Sequence, residues 1–278
     1  MNPQVLLVEC DDRRGLVHAV TGVLLKYGVN VVGNQEFVER GAARFFMRTE
    51  FDGGVEAGQL ESEVRKVLPR DATVRLSDLR PKRIVVLAST EHHCLADILI
   101  RHAFGELNAQ VLGVISNHAV LESLVTRFNL PFCCIRHESL TRQAHEARVL
   151  KEIERLQPDY LVLAKYMRVL TPEFVRRFPA RIVNIHHSFL PAFAGARPYQ
   201  QAFDRGVKVI GATAHIVTEK LDEGPIIVQQ VIPVDHTHTA RDLSRAGRDV
   251  EQMVLARALR LLFEDRVFLC GNRTVIFD

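Results

Sequence analysis

From residue 82 onward, short apolar runs alternate with segments of helical period, and no other feature limits the fold of this chain as much. KRIVVLAST, AQVLGVISN, LPFCCI, PDYLVLAKY and RIVNIH are nearly continuous in apolar residues. CLADILIRHAFGEL, LESLVTRFN, HEARVLKEIERL and TPEFVRRF lie among them and space their apolar residues as helices do. Strands without a polar face must be covered on both sides. The alternation therefore predicts a doubly wound, mostly parallel α/β sheet, whose ligands sit beyond the carboxyl ends of the strands.

The first eighty residues follow another rule. QVLLVEC reads as a strand, and GLVHAVTGVLLKYG puts Leu16, Val20, Val23, Leu24 and Tyr27 at helical spacing, with Gly28 placed to end the helix. VNVVGNQEFV and ARFFMRTEF read as a hairpin turning at residues 39–42. LESEVRKVL is a second helix stopped by Pro69, and ATVRLSDL a last strand. This βαββαβ order predicts two helices on one face of an antiparallel, ferredoxin-like sheet. SDLRPKR, polar and proline-bearing, reads as a linker, which gives domains 1–80 and 83–278.

Composition excludes several classes. A chain of 278 residues, 47% hydrophobic and 25% charged, has the make-up of two ordinary globular domains. A net charge of +3 without a basic tract argues against a nucleic-acid or membrane-surface partner. No apolar run reaches the roughly 18 residues of a membrane span, and the N-terminus lacks the grammar of a signal peptide. Five scattered cysteines without a CxxC pair predict reduced thiols in the cytoplasm.

The most concentrated chemistry lies in RIVNIHHSFLPAF, residues 181–193. Side chains alternate along a strand, so Asn184 and His186 share one face and His187 takes the other. That separation is poor for a metal shared by both imidazoles, and no further ligand stands nearby, so no metal is expected. Ser188 lies in no GxSxG elbow and reads as a brace for the loop before Pro191. An amide and an imidazole on one face can donate to a developing oxyanion and protonate a leaving nitrogen. A carboxylate that handles water would complete such a site. GATAHIVTEKLDEGPIIVQ offers Asp222, with His215 near it, although an aspartate ahead of a glycine is also ordinary turn chemistry.

Two resemblances sharpen these readings. DDRRGLVHAV and KYGVNVVGNQEF resemble the ACT domain, with Asp12, Gly15, Leu16 and Asn30 at the matching positions. The resemblance implies pairing of such domains into a homo-oligomer, dimer or tetramer, and an amino-acid effector held between them. Asp12 as a helix cap and Gly15 as relief for a tight turn is the plainer alternative. NIHHSFLPAFAGARP, KYMRVLTPEFV and HIVTEKLDEGPIIVQ together resemble the folate-dependent formyltransferase family over most of residues 83–278. That resemblance implies a Rossmann-like domain with a catalytic trio at Asn184, His186 and Asp222, and a pterin-cradling segment at Met167, Arg168, Val169 and Leu170. His215 is implied as a supporting contact; Lys165 and Arg197 are candidates for the glutamate tail of the folate or for the loop, and read equally as surface charges.

Three acceptors of the formyl group are open to such a domain. A ribonucleotide acceptor needs a glycine-rich phosphate cradle after the first strand, but LASTEHHCLADIL has no glycine and carries Glu91. A tRNA acceptor needs a further basic domain. The residues after Asp222 are instead taken up by TARDLSRAGRDVEQMVLARALRLLFED, an amphipathic helix with a Thr239–Asp242 capping box, and by RVFLCGNRTVIFD, a strand pair. Water is left. An ACT domain ahead of this catalytic domain implies hydrolysis of 10-formyltetrahydrofolate to tetrahydrofolate and formate, within one-carbon supply for purine synthesis, with no tightly bound cofactor. Formyl transfer to a small amine such as glycinamide ribonucleotide is the alternative.

Overall fold

The computed structural model describes residues 3–191 and 198–278. Its contacts divide the chain into two units: Met1–Arg80 with Leu261–Cys270 and Val275–Asp278, and Pro81–Arg260 with Gly271–Thr274.

In the first unit β1 (Gln4–Asp11), β2 (Asn30–Glu39), β3 (Arg44–Asp52) and β4 (Thr73–Ser77) form an antiparallel sheet in the order β2-β3-β1-β4. Helices α1 (Leu16–Lys26) and α2 (Ala57–Val67) cover one face. Alternation assigns the residues: Leu6, Val8, Cys10, Phe45 and Met47 pack with Val20, Leu24, Leu60 and Val64 of the helices. Helix α2 starts where the Glu56 carboxylate accepts from Gly58 N and Gln59 N, satisfying two amides that lack helical partners.

The second unit is a seven-stranded sheet in the order β11-β10-β9-β8-β5-β6-β7. Strands β5 (Lys82–Ala88), β6 (Ala109–Ser116), β7 (Phe132–Cys134), β8 (Tyr160–Leu163) and β9 (Ile182–His186) are parallel. β10 (Val209–Ile216) and β11 (Ile226–Pro233) extend it antiparallel. Ile84 to Ala88 in the central β5 are wholly buried, as the uninterrupted apolar run required. Helices α3 (His93–Ala103), α4 (Glu122–Thr126), α5 (Arg142–Leu156), α6 (Pro172–Arg176) and α7 (Pro198–Arg205) connect the strands. After β7 the chain returns along α5 and lays β8 on the opposite side of β5. The connections leaving β5 and β8 thus diverge, which opens a crevice at their carboxyl ends.

Helix α8 (Ala240–Phe263) begins at the expected box: Asp242 accepts from Thr239 N at 3.0 Å, and Thr239 Oγ1 accepts from Asp242 N at 3.3 Å. Its last turn and the hairpin of β12 (Val267–Cys270) and β13 (Arg273–Ile276) depart from the expected division, which gave everything after residue 83 to one domain. The cause is the second face of the first sheet. Val5, Leu7 and Phe46 alternate away from α1 and α2, and Phe268, Val275 and Phe277 cover them. The Phe268 ring meets both Phe46 and Phe277 edge-on at 5.6 Å. Beside this core Asp265 is buried and accepts from Ser77 Oγ at 2.6 Å and from Arg75 at 2.8 Å.

Candidate active site

Strand β9 ends at the crevice and delivers Asn184 and His186 there, while β10, paired antiparallel to it, sets His215 opposite Asn184 and Thr213 opposite His186. Asp222 arrives from the connection between β10 and β11. That connection folds tightly against β10 because residue 224 is glycine: a Cβ there would lie 1.8 Å from the Ile216 carbonyl oxygen. Asp222 itself has φ +56°, in the left-handed region that aspartate tolerates better than most residues. Asn184, His186, His215 and Asp222 line, with the 167–170 segment, one cleft of about 240 Å³.

The hydrogen bonds fix the roles of individual atoms. His215 Nδ1 lies 3.0 Å from the Ile216 carbonyl, which can only accept, so Nδ1 carries the proton. Burial lowers the pKa of His215, against the pull of that carbonyl and of Asp222, and so favours the neutral ring. Its Nε2 then has a lone pair and accepts from Asn184 Nδ2 at 3.2 Å. This turns the NH2 end of Asn184 toward the imidazole and leaves its second N–H for a ligand. His186 Nδ1 faces Asp222 Oδ2 at 3.4 Å, and its Nε2 is buried without a partner among the described residues. The hydrogen bond from His186 outweighs burial and holds the Asp222 carboxyl below the usual carboxylate range. The Asp222 side chain keeps 20% exposure and so can reach water. An oriented donor amide, an imidazole with a waiting nitrogen and an ionised carboxylate make a site for acyl chemistry.

His187 differs from its expected position. Its ring stacks on His186 at 5.0 Å and 13°, and it lines the same cleft. Strand alternation ends with β9 at His186, so the next side chain is free to turn back. The segment Met167 to Leu170 follows β8 and is held at three points. Ser89 Oγ accepts from Met167 N at 2.9 Å, Arg142 donates to the Val169 carbonyl, and Glu146 accepts from Thr171 N at 2.9 Å. Met167 and Val169 remain exposed at the cleft, 58% and 53%. Lys165 is buried and pairs with Glu251 at 3.1 Å, which takes it away from any solvent-side folate tail. Arg197 lies outside the described residues.

In the first unit Asp12, Gly15 and Leu16 line a groove with Arg13, His18 and Glu36. Asn30 is not part of that lining; it starts β2 opposite Asp52. Asp12 does not cap α1, whose N-cap is Gly15 at φ +86° without a side-chain bond. His93, Cys94 and Glu251 hold potential ligand atoms within 4.8 Å of one another. The donor set suits a cation poorly, since the Lys165 ammonium already occupies Glu251 and burial raises the Cys94 thiol pKa. Gly224, Tyr199 and Glu251 carried no sequence signal that tied them to the site, and Lys165 carried none that tied it to Glu251. Each became visible only through contacts between distant segments.

Comparison with known proteins matches residues 82–259 to the Formyl transferase family and residues 4–69 to the ACT domain family. A formyltetrahydrofolate deformylase from Escherichia coli strain K12 is 53% identical over 273 residues, 98% of each chain. The crystal structure of a formyltetrahydrofolate deformylase from Pseudomonas syringae superposes with a TM-score of 0.96 at 39% identity, covering 99% of this chain and 94% of that one. A second, from Burkholderia mallei, gives a TM-score of 0.93 at 41% identity over the whole of both chains.

Proposed function

The chain belongs to the formyltetrahydrofolate deformylase family, and from that premise we infer that it hydrolyses 10-formyltetrahydrofolate to tetrahydrofolate and formate. It is a hydrolase acting on a C–N bond. The observation that carries the assignment of its residues is the Nε2 of His186, buried without a partner among the described residues, on a ring whose Nδ1 faces the Asp222 carboxylate and whose strand also presents the Asn184 amide.

In this reading the pterin lies along Met167, Arg168, Val169 and Leu170, against the exposed Met167 and Val169 side chains. Asp222 accepts a proton from water as the oxygen attacks the formyl carbon. Negative charge develops on the formyl oxygen, where the free N–H of Asn184 and the Nε2–H of protonated His186 stabilise it. Collapse of the tetrahedral intermediate breaks the bond to N10, and His186 gives that nitrogen its proton. Asp222 then loses its proton to solvent, and His186 regains one at Nε2 from water once the products leave. His215 acts by holding Asn184 in the productive orientation, because its lone pair rejects the carbonyl end of the amide. The substrate brings the reacting group, and no cofactor enters these steps.

The groove at Asp12, Gly15 and Leu16 supports an amino-acid effector site in the ACT domain. Strand β2 ends its sheet with Val31 and Val32 exposed, which supports pairing of ACT domains in a homo-oligomer. Scattered, odd-numbered thiols support a cytoplasmic setting. The deciding experiment is formate release from 10-formyltetrahydrofolate with no acceptor present. Turnover at constant rate is expected; binding without turnover, or turnover only after an amine is added, would overturn the reading.

A further inference from the structure

Lys165 has φ +62°, a conformation that glycine adopts freely and a lysine Cβ resists. Strain of this kind persists when the surrounding structure over-determines it, and it clusters at active sites. The backbone is pinned there, since Ser89 N donates to the Lys165 carbonyl and Ser89 Oγ accepts from Met167 N. The side chain is 8% exposed, and its ammonium lies 3.1 Å from Glu251 Oε2.

Glu251 on α8 is wholly buried, and much of its surroundings serves to hold it. His93 Nε2 lies 2.8 Å from the carboxylate and the Tyr199 hydroxyl donates to it. Burial pushes the Glu251 carboxyl up, but His93, Lys165 and Tyr199 together bring it down to about 2. One helical turn earlier, a Cβ at Gly247 would lie 2.1 Å from the Tyr199 ring, so α8 is cut back to admit that ring. A buried carboxylate, a tyrosine and a glycine notch thus converge on one ammonium.

That ammonium stands at a junction. Lys165, Met167 and His187 line both the catalytic cleft and a second cleft of about 510 Å³, which Glu91, Tyr199 and Arg248 also border. With folate along the 167–170 segment, the second cleft, which shares Lys165, Met167 and His187 with the catalytic one, offers an approach to the formyl carbon for a molecule larger than water. We propose that Lys165 is the specificity-determining residue of this hydrolase: its ammonium, held at the junction of the two clefts, keeps amines from the formyl carbon and reserves it for water. The proposal rests on the deformylase reading above.

The physical basis is charge. A primary aliphatic amine reaches the cleft as a cation and must lose a proton before its lone pair can attack. Glu251 offsets the Lys165 charge locally, but Lys165, Arg241 and Arg248 together outnumber Glu91 and Glu251 in the lining of the second cleft, so the passage carries a net positive charge that repels the cation and leaves neutral water unaffected. Were the ammonium removed, an amine that had given one proton to solvent could bond to the formyl carbon. It would pass its second proton to Asp222 as the carbon–N10 bond broke and His186 protonated N10. The products would be a formamide and tetrahydrofolate.

The test incubates full-length wild type, Lys165→Met, Lys165→Gly and Lys165→Arg with 10-formyltetrahydrofolate and methylamine, and measures N-methylformamide and formate together. Wild type and Lys165→Arg are expected to yield formate with the amide at background. Lys165→Met and Lys165→Gly should raise the amide-to-formate ratio at least about tenfold, within the range electrostatic focusing produces. An unchanged ratio in variants that still turn over would overturn the proposal, as would folded variants that lose formate release without gaining amide. Met keeps the length of the chain and Gly relieves the backbone, so their folding liabilities differ. If neither folds, Lys165 serves structure and the proposal falls. Wild type that released no formate without amine would instead refute the deformylase reading.

Discussion

Asn184 on β9 faces His215 on β10 across a single ladder position, amide nitrogen to imidazole Nε2 at 3.2 Å. The imidazole proton is committed to the Ile216 carbonyl, so the pair has one stable arrangement, with the amide NH2 toward the ring. Asn184→Ala removes the donor and should lower kcat by roughly 10²–10³ with little change in KM, as loss of one oxyanion donor does. Formate release at saturating substrate checks this, and near-normal kcat would exclude Asn184 from the chemistry.

Asp222→Asn keeps the shape of the side chain and removes the base. Formate release should fall by about 10²–10⁴. The wild-type carboxyl is held below its ordinary pKa, so its contribution to stability is present above about pH 3.8 and disappears as pH falls through the lower folded value. Thermal melts below about pH 4 should therefore depend less on pH in Asp222→Asn than in wild type.

His215 gives the same sign from a different cause, since its ring resists protonation when buried. Below about pH 6.5 the unfolded chain takes up a proton that the folded ring refuses, so stability falls as pH drops. Melting temperatures between about pH 5 and 7 should slope less steeply in His215→Asn than in wild type. Parallel slopes would show that the neutral ring does not contribute.

Gly224→Ala tests how Asp222 is brought to the cleft. The added methyl meets the Ile216 carbonyl, so the connection must move. A loss of roughly 1–3 kcal/mol is expected from overpacking. Activity should fall further than the melting temperature alone explains, because the moved residues include Asp222. Equal formate release by the folded variant would contradict this.

The parts of the fold that were legible are those in which one segment states its own surroundings. Ile84 to Ala88 could only be a strand buried on both faces, and Leu16, Val20 and Leu24 could only be the inner side of a helix. Asn184 and His186 were legible for the same reason, since a strand places alternate residues together without reference to anything distant. His187 was misread where that rule stops, one residue past the end of β9. The Lys165–Glu251 pair was invisible because neither residue's neighbours name the other; only the return of α8 to the end of β8 brings them together. The destination of the C-terminal hairpin was hidden likewise. Its apolar residues announce that they will be covered, but not that Phe46 and Val5 are their partners.

That hairpin also sets an order of events at the ribosome. Phe268, Val275 and Phe277 are synthesised long after Val5, Leu7 and Phe46, yet they close the core that those residues begin. Every nascent chain therefore carries this sheet bare on one face until the 268–277 hairpin has been made. A chain cut short anywhere before residue 268 keeps an apolar surface that chaperones and proteases recognise, so truncated products are marked at the end opposite to the break.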